Sequence, residues 1–249
     1  MKEFPAANLV HILARIEALE KTVLSSGVTI SVDQRNQLKQ GFQEINGWMN
    51  DWGASPTKTQ INKLINDIST LSESGFQTTS NMVRGILAEE LAGLTFFKID
   101  SDDAKSYLNR DDLAGSDFET KFPKGNNELT EAGNCFAFDR FTGCVCHCMR
   151  ALEYALNAFE KDVGAIPTKY PRMWGNIITD IETVKKSPTS KWKSKKVFYD
   201  SCLTYLDSVK TAWRNQVFHV EAIYGKQEAK DVLDSTIRFL RSVAKELSE

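Results

Sequence analysis

Arg214 and His219 are the two side chains of this 249-residue chain whose types and spacing fit acid/base chemistry beside a fixed positive charge. They bracket the segment Arg214-Asn215-Gln216-Val217-Phe218-His219, and His219 is the only histidine in the last hundred residues. An arginine stays protonated at any workable pH, whereas histidine titrates near neutrality. Such a pair can move a proton and stabilise negative charge on a phosphoryl group, the two demands of phosphodiester cleavage. In an ideal helix, five residues at about 100° each leave the two side chains roughly 140° apart, while Asn215 and His219 share a face. Convergence therefore needs the reach of the arginine, an irregular helix end near Val220, or a second copy of the motif across a dimer axis, and the dimer is the favoured arrangement. The competing structural reading is a solvated arginine with a histidine flanking the core.

The helix that must carry these residues is expected over 196–220, with Phe198, Cys202, Leu206, Val209, Trp213, Val217 and Val220 as its core-facing stripe. Around it, helices are expected over 128–141, 143–163, 174–186 and 227–247, separated by Gly, Pro or Lys-Ser breaks. The last shows Ala229, Val232, Leu233, Ile237, Leu240 and Val243 at helical intervals. Four longer helices and one shorter make a bundle over 119–249.

The residues before it, 1–118, read as a second helical domain with no chemistry that the residue types identify. Leu9, Ile12, Leu13, Ile16 and Leu19 predict a first helix ending near Ser25-Ser26-Gly27, and Leu38, Phe42, Ile45 and Met49 a second starting around Val32-Asp33. A long third helix is expected after Thr57, in near-heptad rhythm with an interruption around Gly75, which makes the region hairpin-like or coiled-coil-like. The 94–99 run has β character. An acidic stretch over 100–112 is expected to hold one short helix and a loop, with the domain boundary near Phe118. The fold class is all-α.

Composition excludes several classes. A formal net charge of -2 argues against a protein that coats nucleic acid through overall positive charge, so any nucleic-acid site must be local. No apolar run approaches the roughly 20 residues of a membrane span, and the start Met1-Lys2-Glu3-Phe4-Pro5 lacks the order of a secretory signal, so a cytoplasmic protein without a membrane partner is expected. Five cysteines without secretory context predict free thiols. Cys144 and Cys148 share a helix face while Cys146 points away, and the spacing is not that of a structural zinc site; no metal and no cofactor is expected.

Three segments, Glu131-Ala132-Gly133-Asn134-Cys135, His147-Cys148-Met149-Arg150-Ala151-Leu152-Glu153 and Trp213 to Glu221, resemble the HEPN superfamily over roughly residues 119–249. The signature of that superfamily is an Arg, a polar residue and then a His after four to six intervening residues; here four intervene and Asn215 takes the polar place. The resemblance implies a four-to-five-helix bundle that dimerises so that two motifs form one composite site. In many members that site is a metal-independent endoribonuclease of defence or toxin systems. Carried to this chain, it implies His219 as the acid/base group, Arg214 as the phosphate-stabilising cation and Asn215 as an orienting residue. RNA supplies the 2′-OH nucleophile, so the expected products are a 2′,3′-cyclic phosphate and a 5′-hydroxyl. The alternative is a non-catalytic module of the same fold that binds a nucleotide, RNA or a partner protein. Nothing resembling a nucleotidyltransferase motif accompanies the signature, so control is expected from elsewhere, a regulatory partner protein included.

Two further groups accompany the motif. Lys191, Lys193, Lys195 and Lys196 surround Trp192, together with Lys185 and Lys186, as a local basic cluster with an aromatic to stack on a base; it either guides RNA or is a solvated linker. His147, Arg150 and Glu153 lie at intervals of three on one helix, either supporting the site or forming an Arg150–Glu153 ion pair that holds the bundle.

Overall fold

The computed structural model describes residues 6–24, 30–49, 55–93, 98–219 and 221–249, with side chains over the same residues except 6–9 and 22–24. Every regular element among them is helical, and none is long and apolar enough to cross a membrane. The chain forms two compact units, Met1–Phe97 and Lys98–Glu249.

The first unit holds α1 (Ala6–Leu24), α2 (Val32–Trp48), α3 (Pro56–Asp67) and α4 (Glu73–Ala92). Local sequence sets three of the starts. Ser31 and Gln34 form a reciprocal capping box, Gln34 N–H donating to Ser31 Oγ at 3.2 Å and Ser31 N–H to Gln34 Oε1 at 2.9 Å. Ser55 caps α3 ahead of Pro56, and Ser72 accepts from Gly75 N–H at 3.1 Å to open α4. That third cap divides the single long helix expected after Thr57 into α3 and α4, with the break before Gly75 rather than at it. Arg35 supports the break by donating to the carbonyls of Ile68 (2.6 Å) and Leu71 (2.8 Å), two acceptors left over where α3 stops. Successive helices pack on one another and α4 returns to α1, burying Ile16, Leu38, Phe42, Ile61, Phe76 and Val83. The 94–99 run with β character falls mostly on 94–97, outside the described residues.

The second unit holds α5 (Ser101–Tyr107), α6 (Ser116–Lys121), α7 (Pro123–Ala137), α8 (Phe141–Val163), α9 (Trp174–Lys186), α10 (Ser190–Ser194), α11 (Lys196–Val209), a π-helical turn (Lys210–Arg214), α12 (Asn215–Val217) and α13 (Lys226–Val243). The boundary expected near Phe118 lies instead ahead of Lys98, because the acidic stretch is part of this unit. Tyr107 of α5 meets Phe136 of α7 at 5.0 Å between ring centroids, and Lys226 pairs with Asp103 at 2.5 Å. Gly133 permits that approach: a Cβ there would stand 2.8 Å from the Tyr107 carbonyl oxygen. Phe118 and Phe122, stacked 5.1 Å apart, are fully buried in this core.

The long helix α8 organises the unit. It packs on α7, α9, α11, α12, α13 and the π turn, and buries Cys144, Cys148, Leu152, Ala155, Leu156 and Phe159. Cys144 and Cys148 thus share the inner face as their spacing predicts, with Cys146 half-buried beside it. The hydrogen bond with the Cys148 thiol, together with burial, pushes the Cys144 thiol up. Among the described residues no group of three or more His, Cys, Asp or Glu side chains converges as a metal site.

Removing a fully buried aromatic from a packed core costs about 3–5 kcal/mol. Phe118→Ala is therefore expected to lower amide hydrogen-exchange protection across α7 and α8 by that amount. Unchanged protection there would detach Phe118 from this core.

Candidate functional site

The helix bearing the motif is not straight. The Asn215 N–H bonds back to the Lys210 carbonyl, five residues earlier, so Lys210–Arg214 forms one wide turn. Single wide turns of this kind are uncommon and often lie at functional sites. Val217, beyond it, is buried. Tyr199, Cys202, Leu203, Leu206 and Val209 complete the buried side, with Phe198 and Trp213 at its edge. Tyr199 was not in the expected stripe; its hydroxyl reaches Asp162 at 2.6 Å. Val220 lies outside the described residues.

Arg214 ends the wide turn and is half-buried. Its Nε is sealed from solvent and has no hydrogen-bond partner among the described residues, and its guanidinium stands 5.3 Å from the centroid of the Phe218 ring. Arg15, Arg84, Arg110, Arg150 and Arg172 all pair with carboxylates. Among the described residues Arg214 has no such partner. Regular helix stops at Val217, so the straight-helix angle between Arg214 and His219 does not apply. His219 is held in the following turn, its N–H on the Gln216 carbonyl (2.8 Å) and its own carbonyl accepting from Ala222 N–H (3.1 Å). Its side chain is exposed, as is that of Asn215. No hydrogen bond joins Arg214, Asn215 and His219 within the chain among the described residues. The helix expected to run to Val220 thus ends three residues early, at Val217.

The segment leaving the motif is tied to α8. Tyr224 N–H donates to Thr142 Oγ1 at 3.2 Å, and burial pushes the Tyr224 phenol up; its hydroxyl is buried without a hydrogen-bond partner among the described residues. Gly225 N–H then meets Glu228 Oε2 at 3.0 Å and α13 begins. Arg214 Nε and Tyr224 Oη are thus two unpaired polar atoms on either side of His219 in sequence.

His147 and Arg150 meet a residue the sequence reading did not single out. Glu128 of α7 accepts from Arg150 Nε (2.7 Å) and Nη2 (2.6 Å), and its Oε2 lies 2.8 Å from His147 Nδ1. Antiparallel helices joined by a short turn bring together residues equidistant from that turn, and Glu128 and Arg150 lie on either side of the α7–α8 connection at 138–140. The expected Arg150–Glu153 pair is replaced: Glu153 accepts from Trp174 Nε1 at 2.9 Å and ties α8 to α9.

The basic cluster is also reorganised. Trp192 is buried, 2% exposed, between Phe159 and Tyr199, so it cannot stack on a base. Its apolar ring fills the core because Thr189 caps α10 and fixes the entry of the chain there. Lys191 pairs with Asp162 (2.6 Å), Lys195 with Glu246 (2.8 Å) and Lys196 with Asp200 (2.5 Å), while Lys193 is exposed.

The forked Arg150 bond, with the His147 contact, outweighs burial and holds the Glu128 carboxyl below its ordinary value. A carboxylate lowered on folding contributes stability above its unfolded pKa and loses it as the pH falls through the native value. Arg150 is 59% exposed, so solvent screening limits the contribution to about 1 kcal/mol. Glu128→Gln is expected to cost that much near neutral pH and progressively less towards acid, measured by denaturant titration at several pH values. A pH-independent difference would assign the cost to packing instead.

Comparison of the chain with protein-family models, with curated proteins and with solved structures finds no match.

Proposed function

We propose that this chain is a metal-independent endoribonuclease of the HEPN type, cleaving single-stranded RNA as a homodimer whose two motifs share one composite site. The observation that carries the proposal is the state of Arg214: a half-buried cation with a desolvated, unpartnered Nε, five residues ahead of an exposed histidine. A buried donor without an acceptor costs about 1–3 kcal/mol. A phosphate oxygen on the Arg214 guanidinium gains a charge-assisted bond.

In the proposed reaction the His219 imidazole takes the proton of the RNA 2′-OH, and O2′ attacks the adjacent phosphorus as the P–O5′ bond breaks. An imidazolium returns a proton to the leaving 5′ oxygen, giving a 2′,3′-cyclic phosphate and a 5′-hydroxyl. Arg214 faces the charge developing on the non-bridging oxygens, and Asn215 orients the phosphate or the imidazole. DNA lacks the nucleophile and resists. The biological setting proposed is a defence or toxin system under the control of a regulatory partner protein.

A second reading has its own support. Phe218 (57% exposed) and Ile223 (86% exposed) flank His219 with apolar surface, which suits a non-catalytic module that binds a partner protein.

The test is incubation of a mixed RNA pool in EDTA with wild type, His219→Ala and Arg214→Lys, with end-group mapping and thermal melts. Expected are cyclic phosphate ends, a loss of about a hundredfold or more in folded His219→Ala, and a loss of roughly a hundredfold in Arg214→Lys, which keeps the charge without the fork. Equal cleavage by His219→Ala would remove His219 from the chemistry. A stable dimer that leaves RNA intact would favour the binding module.

A further inference from the structure

Where α8 and α13 end, the second unit has a recess of about 490 Å³, within the size range of small-ligand sites. Four elements bring lysines to it: Lys121 from the end of α6, Lys161 from the last turn of α8, Lys191 from α10 and Lys245 just past α13. Two carboxylates, Asp162 and Glu246, share the lining.

Both carboxylates are already engaged. Asp162 accepts from Lys191 (2.6 Å) and from the Tyr199 hydroxyl (2.6 Å), and Glu246 accepts from Lys195 (2.8 Å). Lys121 donates to the Ala244 carbonyl at 2.6 Å, where α13 leaves an acceptor free. Lys161 and Lys245 are exposed, and neither has a carboxylate partner among the described residues. The negative ends of two helices favour Lys161 and Lys245, while Asp162 and the Ala244 carbonyl hold Lys191 and Lys121. What singles out the recess is that all four ammonium-bearing side chains line one concavity whose two carboxylates are already engaged.

The shape and the lining narrow the ligand. Lysines are mobile point charges suited to phosphate, and a concave surface with several of them favours a compact group carrying several charges. No aromatic side chain lines the recess, and Trp192 beside it is buried against Phe159 and Tyr199. Recognition would therefore be of phosphate rather than of a base, and an extended strand gains no stacking here.

We propose that this recess binds the polyphosphate group of a small molecule through Lys121, Lys161, Lys191 and Lys245, with inorganic tripolyphosphate as the minimal ligand. The proposal does not rest on the nuclease reading.

The test is calorimetric titration of the full chain with tripolyphosphate, with sulfate at matched ionic strength, and with a single-stranded RNA oligonucleotide as competitor. Wild type is compared with K161E/K245E in the recess, with K186E/K193E at exposed lysines outside it, and with His219→Ala; melts check folding. Wild type, K186E/K193E and His219→Ala are expected to bind tripolyphosphate alike and sulfate far more weakly. K161E/K245E should lose about tenfold or more in affinity, since two attractions become repulsions at short range. Equal affinity in the two double variants, equal loss in both, or no saturable binding at millimolar ligand would overturn the proposal. So would displacement by RNA whose own binding is lost in K161E/K245E, because that outcome assigns the surface to an RNA backbone. His219→Ala separates this result from the nuclease test, whose readout is cleavage.

Discussion

The burial of one face of α8 is the constraint on which the rest of the second unit depends. Its buried residues run from Cys144 to Val163, and each neighbouring helix is set by what it must cover along that face. α7 and α13 cover most of it, α9 is tied on through Glu153 and Trp174, and the π turn and α12 close the remainder. At about 25 cal/mol per Å² of apolar surface removed from water, a face of that length dominates any single polar contact in the unit. Polar groups are therefore placed where this packing leaves them.

The π turn lies where that packing meets the motif. Single wide turns are uncommon and often lie at functional sites. This one ends in an arginine half-drawn into the protein, its Nε without an acceptor among the described residues, and is followed by a buried Val217. Tyr224, tied to α8 through Thr142, likewise has a buried hydroxyl without a partner among the described residues. Two such atoms in a segment of eleven residues are a local cost in stability.

Much of the fold was legible from periodicity. The 174–186 helix has its expected ends, and the inward spacing of Cys144 with Cys148 and the Ala229 to Val243 stripe follow from a regular 3.6-residue repeat. What periodicity assumes is regularity, so it could not show the wide turn: counted from Tyr199 or Leu206, Val217 falls on the buried stripe of a straight helix. The Ser72 cap is legible in the same sense: the break around Gly75 reads as an interruption of one helix, and the serine three residues before it starts the next. The acidic 100–112 stretch reads as part of the first domain, because the lysine that pairs with Asp103, Lys226, comes more than a hundred residues later. Local charge density carries no information about such partners.

The same limit decides how the basic residues and the polar triplet on α8 should be understood. Counted along the chain, 185–196 is a run of lysines around a tryptophan. In three dimensions its charge is divided: Lys185 and Lys196 converge on Asp200, Lys191 goes to Asp162 and Lys195 to Glu246, while the tryptophan is core. A linear cluster is thus largely neutralised, and Lys161 and Lys245, without carboxylate partners of their own among the described residues, line one recess from the ends of separate helices. Glu128 shows the converse, a carboxylate unremarkable in sequence that becomes the anchor of His147 and Arg150 through hairpin geometry alone. Electrostatic function here is a property of helix ends and helix pairings. Those are fixed by apolar burial before any charge is placed.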